Sequence, residues 1–359
     1  MREMGGDQVE EAVAGCVTAL RPAVARDWTA VTAGRLDWNC HETAVHVADD
    51  LIAYAANLAG RAQDAYVPFE LRLDDGTDNS GLLQVIETTG ALLAATVRTT
   101  SRHVRAFHPY PFRSADRAGF AAMGIAEVLL HTHDMALGLG LAYRPSEELA
   151  ESVLAWLFPH VQPGPAAWPT LLWATGRGEL PGRAPVTDWR WSNNLVIPAE
   201  RLDLVGIRPA EALDLRLGGD GGFEWIDGGP YKGTRDAAGF LLKAYEGGVH
   251  RPEFGVFTLV RRADGRAVGG IGFHSAPDEE GRVEIGYDLA EAARGNGYAT
   301  EALRALADWA LARDDVRSLF ATVEPANTPS QAVVARAGFT KVSEDETGLA
   351  FALWTEQGA

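Results

Sequence analysis

The sequence predicts an α+β protein of two domains: a four-helix bundle over residues 1–194, then a mixed α/β sheet domain over residues 195–359. Three observations carry that reading. Four apolar stripes at helical spacing fill the chain up to Gly140. Glycine, proline and arginine then accumulate across residues 176–198, with Pro181, Gly182, Pro185 and Pro198 among them, which puts a boundary near Asn194. Beyond it the pattern changes to short strand-like runs with turns between them and helices interleaved.

A chain of 359 residues is long enough for two cores, and 47% hydrophobic with 23% charged residues is the composition of globular protein. The formal net charge of −17 argues against a nucleic-acid scaffold, since phosphate binding needs a basic face, and mildly favours cationic substrates. Two cysteines, Cys16 and Cys40, cannot form a disulfide framework, so a reducing cytoplasm is the expected compartment. Residues 1–7 lack an apolar signal core, and no uninterrupted apolar run of spanning length is read, so no membrane role is expected. The sequence leaves the oligomeric state open.

The first helix follows from the stripe Val9, Val13, Cys16, Val17, Leu20 and Val24. A second begins after Asn39, whose side chain can cap it while Glu42 completes a capping box, and runs to Gly60. A third covers about residues 82–97. The fourth starts after Ser114 and passes through Phe120, Met123 and Leu130 to Gly138 and Gly140. On that fourth helix Glu127 and His131 are four apart and project from one face, where apolar residues would be expected. His46 lies within the second helix. A carboxylate and two imidazoles converging from two helices can fill three positions around a divalent metal, with zinc favoured over nickel on availability. The other reading is an ordinary i,i+4 polar pair and a hydrogen-bonded helix histidine. His41, His103, His108 and His133 are further histidines, each readable as a surface residue.

The run Trp38-Asn39-Cys40-His41-Glu42-Thr43-Ala44-Val45-His46-Val47-Ala48-Asp49 resembles the mycothiol-dependent maleylpyruvate isomerase family, within the DinB-like metal-binding bundles. So does Glu127-Val128-Leu129-Leu130-His131-Thr132-His133-Asp134-Met135-Ala136. The resemblance implies a metal triad of His46, Glu127 and His131. The stretches 171–177 and 189–191 are similar to the small tail of actinobacterial relatives. No thiol-binding surface is identifiable.

In the second half, a strand is expected at 202–205, a helix at 209–217, and a looser segment at 222–231. Thr234 is read as the cap of a helix ending at Gly247-Gly248. Strands at 255–262 and 267–274 join through Asp264-Gly265, a strong hairpin turn. After the turn at Glu280-Gly281 comes a strand carrying Glu284. Then follow a glycine loop, a helix at 300–311, a strand at 318–323, a short helix after Pro329, and closing strands over 340–354. At the loop Arg294-Gly295-Asn296-Gly297-Tyr298-Ala299, glycines let backbone N–H groups crowd at a helix N-terminus, where the dipole favours an anion.

Strand, loop and helix together resemble the pyrophosphate-binding motif of the GNAT acetyltransferases, with Arg294, Gly297 and Ala299 at its defined places. Val323-Glu324-Pro325-Ala326-Asn327-Thr328-Pro329-Ser330, Ala337-Gly338-Phe339 and Glu284-Ile285-Gly286-Tyr287 look like the branch that acetylates ribosomal-protein N-termini. The resemblance covers about residues 199–356 and implies acetyl-CoA as cofactor. The diphosphate would lie on 294–299, Leu289 and Ala290 along the pantetheine arm, and the oxyanion on main-chain N–H groups around Tyr287–Leu289.

Acyl transfer to an amine needs a base, and Glu284 is the candidate, acting through a water; its alternative is a structural carboxylate. The place where many members carry an acidic tyrosine holds Val334. Ser330, aided by Asn327, is either a hydrogen-bond partner for the CoA sulfur or a helix-start residue. Trp225, Tyr231 and Phe273 are aromatic candidates for a pocket wall or for packing. The leading expectation is therefore an acetyl-CoA-dependent N-acetyltransferase acting on a small-molecule amine, with a metal-binding helical domain attached. A metal-dependent thiol transferase or isomerase, an N-terminal protein acetyltransferase, and a pure binding module are the alternatives.

Overall fold

The computed structural model describes residues 4–101, 104–109, 112–345 and 348–354, and divides into two compact units, Met1–Asn194 and Leu195–Ala359.

In the first unit four long helices pack together: α1 (Gly6–Leu20), α2 (Cys40–Gly60), α3 (Asn79–Thr99) and α4 (Arg117–Gly138). Helices α1 and α2 each lie against both α3 and α4. The start of α2 is set by a capping box: Asn39 Oδ1 accepts from Glu42 N at 2.9 Å, and Glu42 Oε2 accepts from Asn39 N at 2.9 Å. Past Gly60, Arg61 turns left-handed at φ 50° and ends the helix. Helix α4 is the hub, with Phe120, Met123, Ile125, Val128 and Leu129 all fully buried. Each such side chain contributes roughly 1.5–3 kcal/mol on burial.

Val24 falls beyond α1, after a 3₁₀ turn at Arg21–Ala23. A two-stranded ribbon of β1 (Arg105–Phe107) and β2 (Ser114–Asp116) precedes α4. Two helices that the sequence reading missed follow α4, namely α5 (Glu147–Leu157) and α6 (Ala167–Ala174). His103 lies outside the described residues. Helix α3 is long and apolar enough to cross a membrane by length and composition alone, although Gln84 and Glu87 interrupt its apolar run. Its Leu82, Leu83, Ile86, Leu93, Ala94 and Val97 are buried among its neighbours, so its apolarity is core packing.

The second unit is an eight-stranded sheet in the order β3-β4-β5-β6-β7-β8-β10-β9. Its strands are β3 (Val196–Pro198), β4 (Leu202–Gly206), β5 (Val256–Arg261), β6 (Ala267–Phe273), β7 (Arg282–Leu289), β8 (Ser318–Val323), β9 (Thr340–Asp345) and β10 (Gly348–Trp354). Helices α7 (Pro209–Arg216) and α8 (Lys232–Glu246) lie between β4 and β5 in the chain, and α9 (Tyr298–Leu311) and α10 (Thr328–Arg336) flank β8. Every pairing is antiparallel except β7 with β8.

The parallel pair is short. Strand β7 meets β8 only through Arg282, Val283 and Glu284, whereas it stays paired with β6 from Ile285 to Leu289. The sheet therefore parts after Glu284.

Thr234 is not the cap of α8. The helix begins two residues earlier, and Thr234 N and Oγ1 instead donate to Asp288 on β7, at 2.8 and 2.6 Å. A carboxylate from a distant strand thus meets one of the first-turn amides of α8, which a local cap would otherwise take.

Candidate active site and metal centre

In the sheet unit, hydrogen bonds fix which way β7 points its backbone. His274 N donates to Glu284 O at 2.9 Å and Ala290 N to Val268 O at 2.9 Å. Even-numbered residues of β7 thus face β6, and the N–H groups of Ile285, Tyr287 and Leu289 point to the side where β8 has diverged. The sequence expectation of oxyanion donors around 287–289 narrows to Tyr287 and Leu289, since Asp288 faces β6. Ala290 is fully buried with its amide bonded to β6, so it can offer a pantetheine arm no N–H.

The loop ahead of α9 has two left-handed glycines, Gly295 at φ 77° and Gly297 at φ 79°. A Cβ on Gly295 would meet nothing within 4 Å, and one on Gly297 would reach only Arg201 Nη2 at 3.5 Å. The glycines are thus required by backbone conformation, not by crowding. Asn296 Nδ2 closes the loop on Ala293 O and Arg294 O, each at 3.1 Å. Arg201 braces it from outside: Nη1 donates to Asn296 O at 3.1 Å, Nε donates to Glu301 Oε2 at 2.8 Å, and the guanidinium lies 4.9 Å from the centre of the Tyr298 ring. Sequence reading assigned Arg201 no role. The amides of Tyr298, Ala299 and Thr300 open α9 and have no carbonyl of their own helix to reach. Arg294 stacks 5.1 Å from the centre of the Tyr231 ring, so Tyr231 belongs to this loop.

Glu284 stands at the point of parting. Thr322 Oγ1 donates to its Oε1 at 2.8 Å, and His274 Nδ1 lies 3.3 Å from its Oε2. The His274 hydrogen bond, outweighing partial burial and helped by Thr322, holds the Glu284 carboxyl below the usual range. Across the parting, Tyr287 Oη donates to Ser330 Oγ at 3.2 Å or Ser330 O at 3.3 Å. Burial pushes the Tyr287 phenol up, partly countered by Ser330. Asn327 caps α10 by accepting from Ser330 N at 3.1 Å, so the two are helix-start residues and Ser330 also meets Tyr287. Val334 is fully buried. The structure thus brings Glu284, Tyr287, Ser330 and Asn327 to the rims of one parting.

One aromatic wall candidate packs instead. Trp225 bridges to Ala267, its Nε1 donating to Asp220 O at 2.8 Å. Phe273 is buried against Phe254 and Phe257 and also lines a cavity. That cavity, about 190 Å³, lies between α8 and the β6–β7 hairpin and is lined by Gly270, Gly272, His274, Gly286, Asp288 and Phe240 among others. Burial raises the Asp288 carboxyl, and its bonds from Thr234 and Gly270 counter that. His274, Thr322 and Asp288 went unassigned in the sequence reading. The available signal was register: in a hairpin, His274 and Glu284 fall opposite each other on one face.

Residues 201–340 match the acetyltransferase (GNAT) domain family. The chain is 37% identical across 86 residues to the uncharacterized N-acetyltransferase YjdG of Bacillus subtilis, covering 24% of this chain and 51% of that one. It is 35% identical across 85 residues to the uncharacterized N-acetyltransferase p20 of Bacillus licheniformis, covering 24% and 48%. The chain thus spans about half the length of these curated relatives. Among solved structures, Mycobacterium smegmatis RimJ in complex with CoA-disulfide is 24% identical, covering 46% of this chain and 89% of that one at a TM-score of 0.33.

In the helical unit, His46, Glu127 and His131 offer three ligand atoms within 4.8 Å of one another. His131 Nε2 lies 3.1 Å and His46 Nε2 3.7 Å from Glu127 Oε2. Burial works to raise Glu127, but the two imidazoles overcome it and hold the carboxyl at about 2. His131 Nδ1 meets Asp134 Oδ2 at 3.2 Å, and Arg177 in turn bonds Asp134 at 3.0 Å. Asp50 Oδ2 lies 3.4 Å from His46 Nε2, and burial, with Glu127 nearby, pushes its carboxyl up to about 7. Trp38 covers His46 edge-on at 4.9 Å between ring centres. His133 packs against Trp168 and stands apart from the cluster.

Proposed function

We propose that the protein is an acetyl-CoA-dependent N-acetyltransferase acting on a small-molecule amine. The observation that carries this reading is the parting of β7 from β8 after Glu284, beside a left-handed glycine loop whose helix amides suit a diphosphate. The family match over 201–340 and the N-acetyltransferase names of the two Bacillus relatives support it.

In this reading the amides of 297–300 bind the pyrophosphate, with Arg201 fixing the loop and Arg294 at its edge. The pantetheine arm runs along Tyr287 and Leu289, whose N–H groups receive the carbonyl oxygen as charge develops on it. The Glu284–His274 pair takes the proton from the amine. The expelled thiolate is protonated through the hydroxyls of Tyr287 and Ser330, which are hydrogen-bonded to each other. A cavity of about 190 Å³ has room for roughly six waters at ~30 Å³ each. That volume suits the amine end of a small molecule.

For the helical unit we infer a DinB-like metal domain in which His46, Glu127 and His131 hold one divalent cation, zinc being favoured by two imidazoles and a carboxylate. The donor set fits: His131 is oriented by Asp134 through its second nitrogen, the usual support of a metal-ligating histidine. When bound, such an ion polarises a water or thiol in its open position.

A CoA-release screen with mass detection, run across amines, hydrazines, aminoglycosides and short peptides, tests the reading. Acceptor-dependent CoA release with a product 42 mass units heavier (on the order of one acetyl group replacing hydrogen) is expected. Acetyl-CoA binding without release for any acceptor would overturn it.

A further inference from the structure

Resting on the acetyl-transfer reading, we propose that His274 is the catalytic group that takes the proton from the acceptor amine, with Glu284 its positioning residue and the glycine-floored cavity beside α8 the acceptor site.

The geometry separates the two side chains. His274 borders the cavity, whereas Glu284 is engaged on both oxygens, by Thr322 at 2.8 Å and by His274 Nδ1 at 3.3 Å. A carboxylate beside Nδ1 fixes the tautomer with its proton there and leaves the Nε2 lone pair as acceptor. That nitrogen points over Gly286, where an added Cβ would stand only 2.8 Å from it. The floor is bare because its glycines are crowded: a Cβ on Gly270 would meet Thr234 Oγ1 at 2.7 Å, and one on Gly272 would meet Gly255 O at 2.8 Å. Phe240 of α8 stacks 5.9 Å from His274 and borders the cavity too. At the far end Asp288 is tied to Thr234, which holds the start of α8 over the floor. The His274 hydrogen bond also holds the Glu284 carboxyl low, which makes it a poorer proton acceptor than an ordinary carboxylate. The arrangement is a nucleophile-activating dyad in which the carboxylate orients and the imidazole does the transfer.

The steps balance. His274 Nε2 takes one proton from the ammonium and passes it to solvent. The freed nitrogen lone pair forms the C–N bond as the carbonyl π pair moves onto oxygen. On collapse the C–S bond breaks with its electron pair on sulfur. The second proton leaves the nitrogen for solvent, the sulfur gains one from the Tyr287–Ser330 hydroxyls, and solvent returns one to those hydroxyls. The products are amide, CoA thiol and one proton.

The test uses full-length protein, acetyl-CoA, and four probe amines, namely ethanolamine, phenethylamine, spermidine and alanyl-alanine, read by CoA release. His274→Ala is expected to lower kcat by about 10²–10³-fold with unchanged acetyl-CoA affinity, and added imidazole to restore part of the rate. Glu284→Gln is expected to cost less and to shrink further the rate that imidazole leaves to His274→Ala only slightly, because its role is exerted through the ring. Gly286→Ala is expected to raise the acceptor KM. His274→Gln guards against misfolding: it keeps the volume and must be as slow as His274→Ala. Rates for both His274 variants within threefold of wild type, or a loss that imidazole leaves untouched, would overturn the assignment (threefold being about 0.65 kcal/mol). No amine-dependent release from wild type would instead sink the acetyl-transfer reading beneath it.

Discussion

Replacing Gly297 by alanine isolates what the loop before α9 does. Gly297 sits at φ 79°, ψ 0°, and an alanine Cβ would meet only Arg201 Nη2, at an ordinary 3.5 Å. No clash arises, so the cost is left-handed backbone strain alone, about 1–2 kcal/mol. That strain must surface in one of two ways. If the loop holds its shape, the sheet unit loses stability, and about 2–4 °C of Tm per kcal/mol is expected for a domain of this size. If the loop relaxes toward negative φ, the amides turn from the diphosphate and acetyl-CoA affinity falls about 5–30-fold. Calorimetric Kd and thermal unfolding, measured on the same samples, read both. Gly140→Ala is the control, because Gly140 is equally left-handed at φ 63° but lies in the helical unit. It should cost stability without weakening acetyl-CoA. An unchanged Kd together with an unchanged Tm for Gly297→Ala would refute the reasoning.

Other outcomes are expected. Purified wild type, kept from chelators, should carry about one zinc per chain by elemental analysis, and Glu127→Ala well under half of that, because one carboxylate oxygen is lost from three ligands. Asn39→Ala should lower the stability of the helical unit by about 1 kcal/mol in urea unfolding, since Glu42 N loses its side-chain acceptor. Glu284 has a folded-state carboxyl below its unfolded value, so its stabilisation is present above the unfolded pKa and fades as pH falls through the folded one. The gap between wild type and Glu284→Gln in urea midpoint should therefore narrow on acidification below the ordinary carboxylate range. Thr234→Val should raise the acceptor KM more than the acetyl-CoA KM, because it removes the Oγ1 bond to Asp288 and leaves only the backbone amide to tie α8 there.

What the sequence made legible was mostly local. Asn39 and Glu42 lie three apart and cap their own helix, and Asp264-Gly265 turns its own hairpin, so short-range spacing sufficed. Thr234 had the look of a cap, but Asp288, 54 residues away, competes for the same hydroxyl and amide. Helix α5 was readable in principle, with Ser146 placed to cap it, whereas three-residue β3 is formed mainly by its pairing with β4. The triad His46, Glu127 and His131 could be guessed as one cluster, yet Asp50 beside it needed packing to be seen. His274 was invisible for a similar reason: it closes a strand without a motif of its own, and only the hairpin register puts its ring against Glu284.

The most direct measurement is a crystal structure of the protein grown with acetyl-CoA. The diphosphate should sit on the amides at the start of α9, with the thioester carbonyl between the N–H groups of Tyr287 and Leu289 and its acetyl carbon facing the His274 side of the hairpin. Acetyl-CoA lodged elsewhere, or a parting between β7 and β8 that stays empty at millimolar ligand, would contradict it.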